Sequence, residues 1–197
     1  MGSTRWHKPV ITLIPAVLLL LMVLSAGCTG SLQPVPGPVP VSPAMAPHDN
    51  GSWKEYPLTD LQGKGNFSVN MFAGKPVLVS VQSADCPSCI ILLSRQLDEI
   101  DRLQGVRDGK VVSVSLDLDP AGGAGFITSY HARFNFSAYT TRSPTDLTLD
   151  LFHTFGPFAI DTETIPVILV CPDGHDLLLP AGVKTAETLN ATLAQEC

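Results

Sequence analysis

The chain is poor in charge and poorer still in positive charge. Lys and Arg number 12 in 197 residues against 18 Asp and Glu, and charged residues make up 15% of the whole, low for a soluble domain. No basic face of the kind that neutralises phosphates is visible, which excludes a nucleic-acid partner. Cysteine is also scarce, with Cys28, Cys86, Cys89, Cys171 and Cys197 the full set. A structural zinc site needs a second pair of Cys or His ligands near the first. Cys171 and Cys197 lie far apart in sequence, so no metal is expected. No internal repeat is visible.

Part of the charge shortage lies at the N-terminus. Arg5 and Lys8 are followed by Val10 to Gly27 without a single charge, a positive segment followed by an apolar one. The run ends in Leu24-Ser25-Ala26-Gly27-Cys28, which resembles a lipoprotein signal, where the cysteine carries the lipid and becomes the mature N-terminus. Ser25 stands where that pattern prefers Leu. The rival reading is an uncleaved membrane helix, although the uncharged stretch is short against the ~20 residues that span a bilayer, and Pro15 interrupts it. Both readings leave the positive end inside and the rest of the chain outside, anchored to the membrane.

Residues 1–27 are therefore expected to be a signal or anchor. Residues 28–52 carry Pro34, Pro36, Pro38, Pro40, Pro43 and Pro47 and read as an extended stalk. Residues 53–197 form the folded domain. Of the five asparagines, Asn50, Asn66, Asn135 and Asn190 begin N-x-S/T triplets. In exported surroundings these are candidate glycan acceptors; the bland reading is chance in a Thr-rich chain.

Within the domain, helical and extended patterns alternate. Tyr56-Pro57-Leu58 and Phe67-Ser68-Val69 suggest an N-terminal hairpin. Val77 to Val81 and Val111 to Leu116 read as strands buried on both faces. Between them, Cys89 to Leu103 carries apolar residues at 90, 93, 97, 100 and 103, a helical stripe, and Gly105 and Gly109 break the chain after it. Phe126, Ile127, Tyr130 and Phe134 are helix-spaced. Ser143-Pro144 reads as an N-cap and first helical residue opening Thr145 to Phe155. Ile165 to Val170 is a strand, Pro172-Asp173-Gly174 a turn, Leu177 to Leu179 its hairpin partner, and Ala186 to Gln195 a closing helix. The plan is α/β in three layers: a central mixed sheet, flanking helices and an N-terminal hairpin extension.

Cys86-Pro87-Ser88-Cys89 stands where a strand feeds a helix. Two thiols at this spacing are arranged for disulfide exchange. The first sulfur would sit on free N–H groups at the positive helix end, which favours its thiolate. Pro87 fits the first helical position, where its missing N–H has no helical partner anyway. The second sulfur, one turn inward, can attack a mixed disulfide and release the partner. A static disulfide that only staples the helix start is the alternative.

Three stretches together resemble the thioredoxin-like disulfide oxidoreductases, in particular their membrane-anchored TlpA/redoxin branch. They are Phe72 to Val79 leading into Cys86–Cys89, Val112 to Asp119, and Thr164-Ile165-Pro166 running into Val167 to Val170 and Pro172-Asp173-Gly174. The resemblance implies that Cys86 is the nucleophile and Cys89 the resolving thiol. It implies that Pro166 is cis and faces the disulfide, and that Ile165 offers backbone groups to an extended substrate. It implies a protein disulfide as substrate, a membrane thiol carrier as electron donor, and no cofactor. Asp85 replaces the Trp usual before the first cysteine, and with Pro87 and Ser88 it would modulate the pair. Asp85 would oppose thiolate formation if close, serve as a proton acceptor for Cys89, or simply be a solvated loop acid. Ser80 occupies the buried position where thioredoxin has a proton-relaying Asp. In this fold the strand after Pro166 and the last helix end at the same pole, so Cys171 and Cys197 either pair or remain free thiols; an exported location permits pairing.

Two relatives in fold supply alternatives. Sco-like copper proteins share a strand ending in Asp before Pro, as in Asp119-Pro120, but use two cysteines with three residues between them, where this chain has two, and a distant His. His131, His153 and His175 are the histidines to test against that reading. Peroxiredoxins place Pro seven residues before the reactive cysteine, where this chain has Val79. A non-catalytic scaffold is the remaining alternative.

Overall fold

A computed structural model describes residues 52–84, 86–119 and 124–197. Cys28, Asn50, Asp85 and the expected signal and stalk segments lie outside the described residues.

The chain enters at Trp53, whose ring is buried, and forms a small antiparallel hairpin of β1 (Leu58–Thr59) and β2 (Asn66–Phe67). Then come β3 (Val77–Gln82), α1 (Pro87–Asp101), the short α2 (Gln104–Arg107) and β4 (Val112–Asp117). Next are α3 (Ala124–Phe134), β5 (Tyr139–Arg142) and α4 (Thr145–Phe155). The domain ends with β6 (Val167–Val170), β7 (Asp176–Leu178) and α5 (Ala186–Glu196). The main sheet has five strands in the order β5-β4-β3-β6-β7. β3 and β4 run parallel, as do β4 and β5, while β6 is antiparallel to both β3 and β7. The expected mixed α/β sheet is present.

β3 lies at the centre and is buried along its whole length, so both faces are apolar and the run does not alternate. Val77, Val79 and Val81 point to a core shared with Leu147 and Leu151 of α4 and with Trp53, Tyr56 and Phe67 of the N-terminal extension. Leu78 points the other way, into a core with Ile100 of α1 and Leu189 of α5. Leu93 and Leu97 of α1 pack with Phe136 and Ala138 in a third cluster. The sheet is thus the middle of three layers, and α1 is fixed to it along one stripe.

Three local expectations need correction. β5 has no counterpart in the sequence reading: Tyr139-Thr140-Thr141-Arg142 is too short to show a period, and its place is set by pairing with β4. The helix after it starts one residue late, with Pro144 as its N-cap and no side-chain cap bond. The Ser143 N–H donates to the Asp117 carbonyl at 2.7 Å, which continues the β4–β5 ladder and keeps Ser143 out of the helix. Gly105 does not break the chain but lies inside α2. A Cβ there would meet Val111 Cγ2 at 2.7 Å, so the glycine serves close packing.

Candidate active site

β3 delivers the chain through residues 83–84 to Cys86, which caps α1, with Pro87 in the first turn. Cys86 and Cys89 are joined as a disulfide, their Cα atoms 5.2 Å apart. The Cys89 N–H points at Cys86 Sγ at 3.2 Å, so the first sulfur takes one of the free donors at the helix start. Ser88 Oγ lies 3.5 Å from the same sulfur. Cys86 is half-buried and Cys89 is buried at 5% exposure, which leaves the first sulfur as the more accessible one. Ser80 is fully buried beneath the cysteine helix, on the Leu78 side of the sheet, and its hydroxyl has no hydrogen-bond partner.

The turn before β6 comes up beside the pair. Thr162 Oγ1 donates toward Cys89 Sγ at 3.9 Å. The Ile165–Pro166 bond is trans, because the described chain contains no cis peptide. Ile165, the residue before that bond, sits in the left-handed region at φ 53° and ψ 62°. That conformation costs a β-branched residue about 1–3 kcal/mol, so its surroundings must hold it there. The backbone groups of Ile165 are occupied: its N–H donates to the Thr162 carbonyl at 3.3 Å, and its carbonyl accepts from Lys184 Nζ at 2.5 Å. Pro166 presents its carbonyl to the Val81 N–H at 3.1 Å, which ties the turn to the central strand.

Asp117, at the end of β4, was not singled out from the sequence, although an acid closing an apolar strand was a visible signal. It is fully buried, and Oδ1 accepts from the Ala84 N–H at 3.3 Å, directly below the loop leading to Cys86. The same oxygen accepts from the Asp119 N–H at 3.3 Å. Burial pushes its carboxyl up to about 6; the two backbone donors and Arg142 oppose that rise, and Asp119 adds to it.

The remaining candidates lie elsewhere. Cys171 and Cys197 are joined as a disulfide with Cα atoms 5.2 Å apart, which fastens the end of α5 to the end of β6. His131 is buried, its Nδ1 2.9 Å from Thr140 Oγ1, and burial followed by the Lys64 charge lowers it to about 4. His153 is exposed on α4 and His175 is exposed in the β6–β7 turn. Among the described residues no group of three or more His, Cys, Asp or Glu is placed to hold a metal. Asn66, Asn135 and Asn190 are exposed.

No protein-family model and no curated protein matches the chain. Solved structures do match, and the fold they share is thioredoxin-like. One is a secreted disulfide oxidoreductase of Mycobacterium tuberculosis homologous to E. coli DsbE, with 14% identity and a TM-score of 0.53, covering 73% of this chain and 97% of that one. Another is a putative electron transfer protein of Aquifex aeolicus, with 17% identity and a TM-score of 0.54, covering 72% of this chain and 91% of that one. A third is an exposed lipoprotein thioredoxin of Streptococcus pneumoniae, with 13% identity and a TM-score of 0.51, covering 71% of this chain and 98% of that one.

Proposed function

We propose that this protein is an extracytoplasmic, membrane-tethered thiol–disulfide oxidoreductase that reduces protein disulfides. The observation that carries the reading is the closed Cys86–Cys89 pair at the start of α1, with Cys86 half-buried and Cys89 buried, so that the first is the more accessible to a partner. In the reduced protein the Cys86 thiolate attacks one sulfur of a substrate disulfide, and the other substrate sulfur leaves as a thiolate. The Cys89 thiolate then attacks Cys86 Sγ, closes the intramolecular disulfide and expels the second substrate thiolate. Two electrons have passed to the substrate. A membrane dithiol carrier restores the pair by the same exchange in reverse and is itself oxidised.

Tethering is supported by the N-terminal segment, with its charge-free run, Cys28 and the proline-rich stretch after it. Among the described residues no helix is long and apolar enough to cross a membrane. Solved structures of similar fold include one protein described as secreted and one as an exposed lipoprotein.

The test is reduction of insulin disulfides by the protein recycled with dithiothreitol, set against Cys86→Ser and Cys89→Ser. Loss of turnover in Cys86→Ser, and accumulation of a mixed disulfide in Cys89→Ser, is the expected result. Undiminished turnover in both variants defeats the mechanism.

A further inference from the structure

Lys184 is a lysine at a core position. It is 5% exposed, and no carboxylate among the described residues pairs with it. A buried ammonium without a counter-ion opposes folding unless its hydrogen bonds compensate. Its Nζ donates to the Ile165 carbonyl at 2.5 Å. Its own backbone is fixed on both sides by Gln96, a fully buried residue of α1. The Lys184 N–H donates to Gln96 Oε1 at 2.7 Å, and Gln96 Nε2 donates to the Lys184 carbonyl at 3.2 Å. Two further bonds flank this clamp: the Gly182 N–H to the Thr164 carbonyl at 2.8 Å, and the Ala186 N–H to Glu99 Oε2 at 2.8 Å. The segment 182–186 thus straps the helix that carries the cysteines to the turn that faces them.

That turn holds a strained conformation. Ile165 is left-handed, and it closes the 3-10 turn Thr162–Thr164, whose first residue donates its hydroxyl toward Cys89 Sγ. Methionine or leucine would fill the Lys184 site without the desolvation cost, but neither could bond the carbonyl of Ile165.

We propose that Lys184 is a positioning residue for the redox pair. It acts through the Ile165 carbonyl to hold Thr162 against Cys89, so that the Thr162 hydroxyl donates to the Cys89 sulfur and favours its thiolate. This deepens the disulfide-exchange reading and rests on it. When the Cys86–Cys89 bond is reduced, two electrons enter the pair, and Cys89, as the thiolate that later resolves the mixed disulfide, accepts the Thr162 O–H more strongly than the disulfide sulfur does. Loss of that donor shifts the equilibrium toward the disulfide.

The experiment is a redox equilibrium of the full protein against reduced and oxidised glutathione at pH 7. The fraction of Cys86–Cys89 reduced is read by thiol alkylation and mass. Lys184→Met is expected to lower the equilibrium constant for reduction about threefold, the size of one net hydrogen bond. Thr162→Val is expected to do the same. The double variant is expected to show no more than the larger single effect, because the two residues act in series. A single cooperative thermal transition of oxidised Lys184→Met separates a positional effect from a loss of fold. Thr162→Val changes only the rim of the site and carries the test should Lys184→Met not fold. An unchanged constant in either variant, or effects that add in the double variant, overturns the proposal. A parent protein whose Cys86–Cys89 bond does not equilibrate with glutathione at all sinks the oxidoreductase reading instead.

Discussion

Two buried titratable residues give the domain opposing responses to acid. His131 is lowered to about 4 by burial, below its ordinary value of 6.5. The unfolded chain therefore binds the proton more tightly. Its contribution to stability is full above pH 6.5 and is lost as pH falls through 4. Urea midpoints between pH 7 and pH 4 should fall, and the fall should be smaller in His131→Asn. Asp117 works in the other direction. Its carboxyl is raised from 3.8 to about 6, so the folded state holds that proton more tightly. The cost of ionising it is absent below pH 3.8, grows through pH 6 and is complete above. Asp117→Asn keeps an oxygen for the Ala84 N–H and removes the charge. The variant should be more stable than the parent at pH 8 and equal to it near pH 3.5; a loss of stability at pH 8 would count against a desolvated carboxylate. Neither residue announced its environment in the sequence. The burial of His131 depends on Thr140, and Thr140 is itself held by Asp60 far back in the chain.

At the scale of elements, what could be read depended on whether the forming contacts were local. α1 carried its own stripe at 93, 97 and 100, and its cap and first-turn proline were contiguous, so its start was legible to within a residue or two. β6 declared itself as an uninterrupted apolar run, β3 as a nearly all-apolar one, and β4 as apolar residues alternating with serine. β5 did not, because four residues alternating in burial only weakly have no period, and parallel pairing to β4 decides them. The turn at Ile165 illustrates the same limit. The Ile-Pro dipeptide marked the place, but the carbonyl of its left-handed residue is bonded by Lys184, nineteen positions away. Lys184 and Thr162 were invisible as site residues for that reason. Close packing gives a test at this scale. Gly105→Ala gains up to about 1 kcal/mol of helix propensity. It also places a methyl against Val111, an overpacking worth about 1–3 kcal/mol. A net loss of roughly 1 kcal/mol in urea unfolding is expected; a gain would mean that Val111, just before β4, yields easily.

For the whole domain, the second disulfide closes the C-terminal hairpin and helix onto the sheet. Cys171 and Cys197 are 26 residues apart, and a loop of that size is worth roughly 3.5 kcal/mol through the unfolded chain. Replacing both with Ser, with Cys86–Cys89 kept oxidised, should reduce the free energy of unfolding by 2–4 kcal/mol. A change below about 0.5 kcal/mol would show that α5 docks through Leu189 and Leu193 without help. From the sequence, the resembled fold put both cysteines at one pole, away from the cysteine helix, and left a disulfide and two free thiols both open.

The N-terminal extension does more than add apolar surface behind β3. The Leu61 N–H donates to the Thr140 carbonyl at 2.7 Å, and Asp60 Oδ1 accepts the Thr140 N–H at 2.8 Å. Phe67 and Phe72 close over Tyr139 with ring centroids about 5 to 6 Å apart. β5 is a border of the main sheet, and its outer backbone groups at Thr140 are already spent within the molecule. A neighbouring copy therefore finds no template for strand addition there. Such self-sealing removes one border of the sheet from the routes by which crowded domains would nucleate fibrous growth.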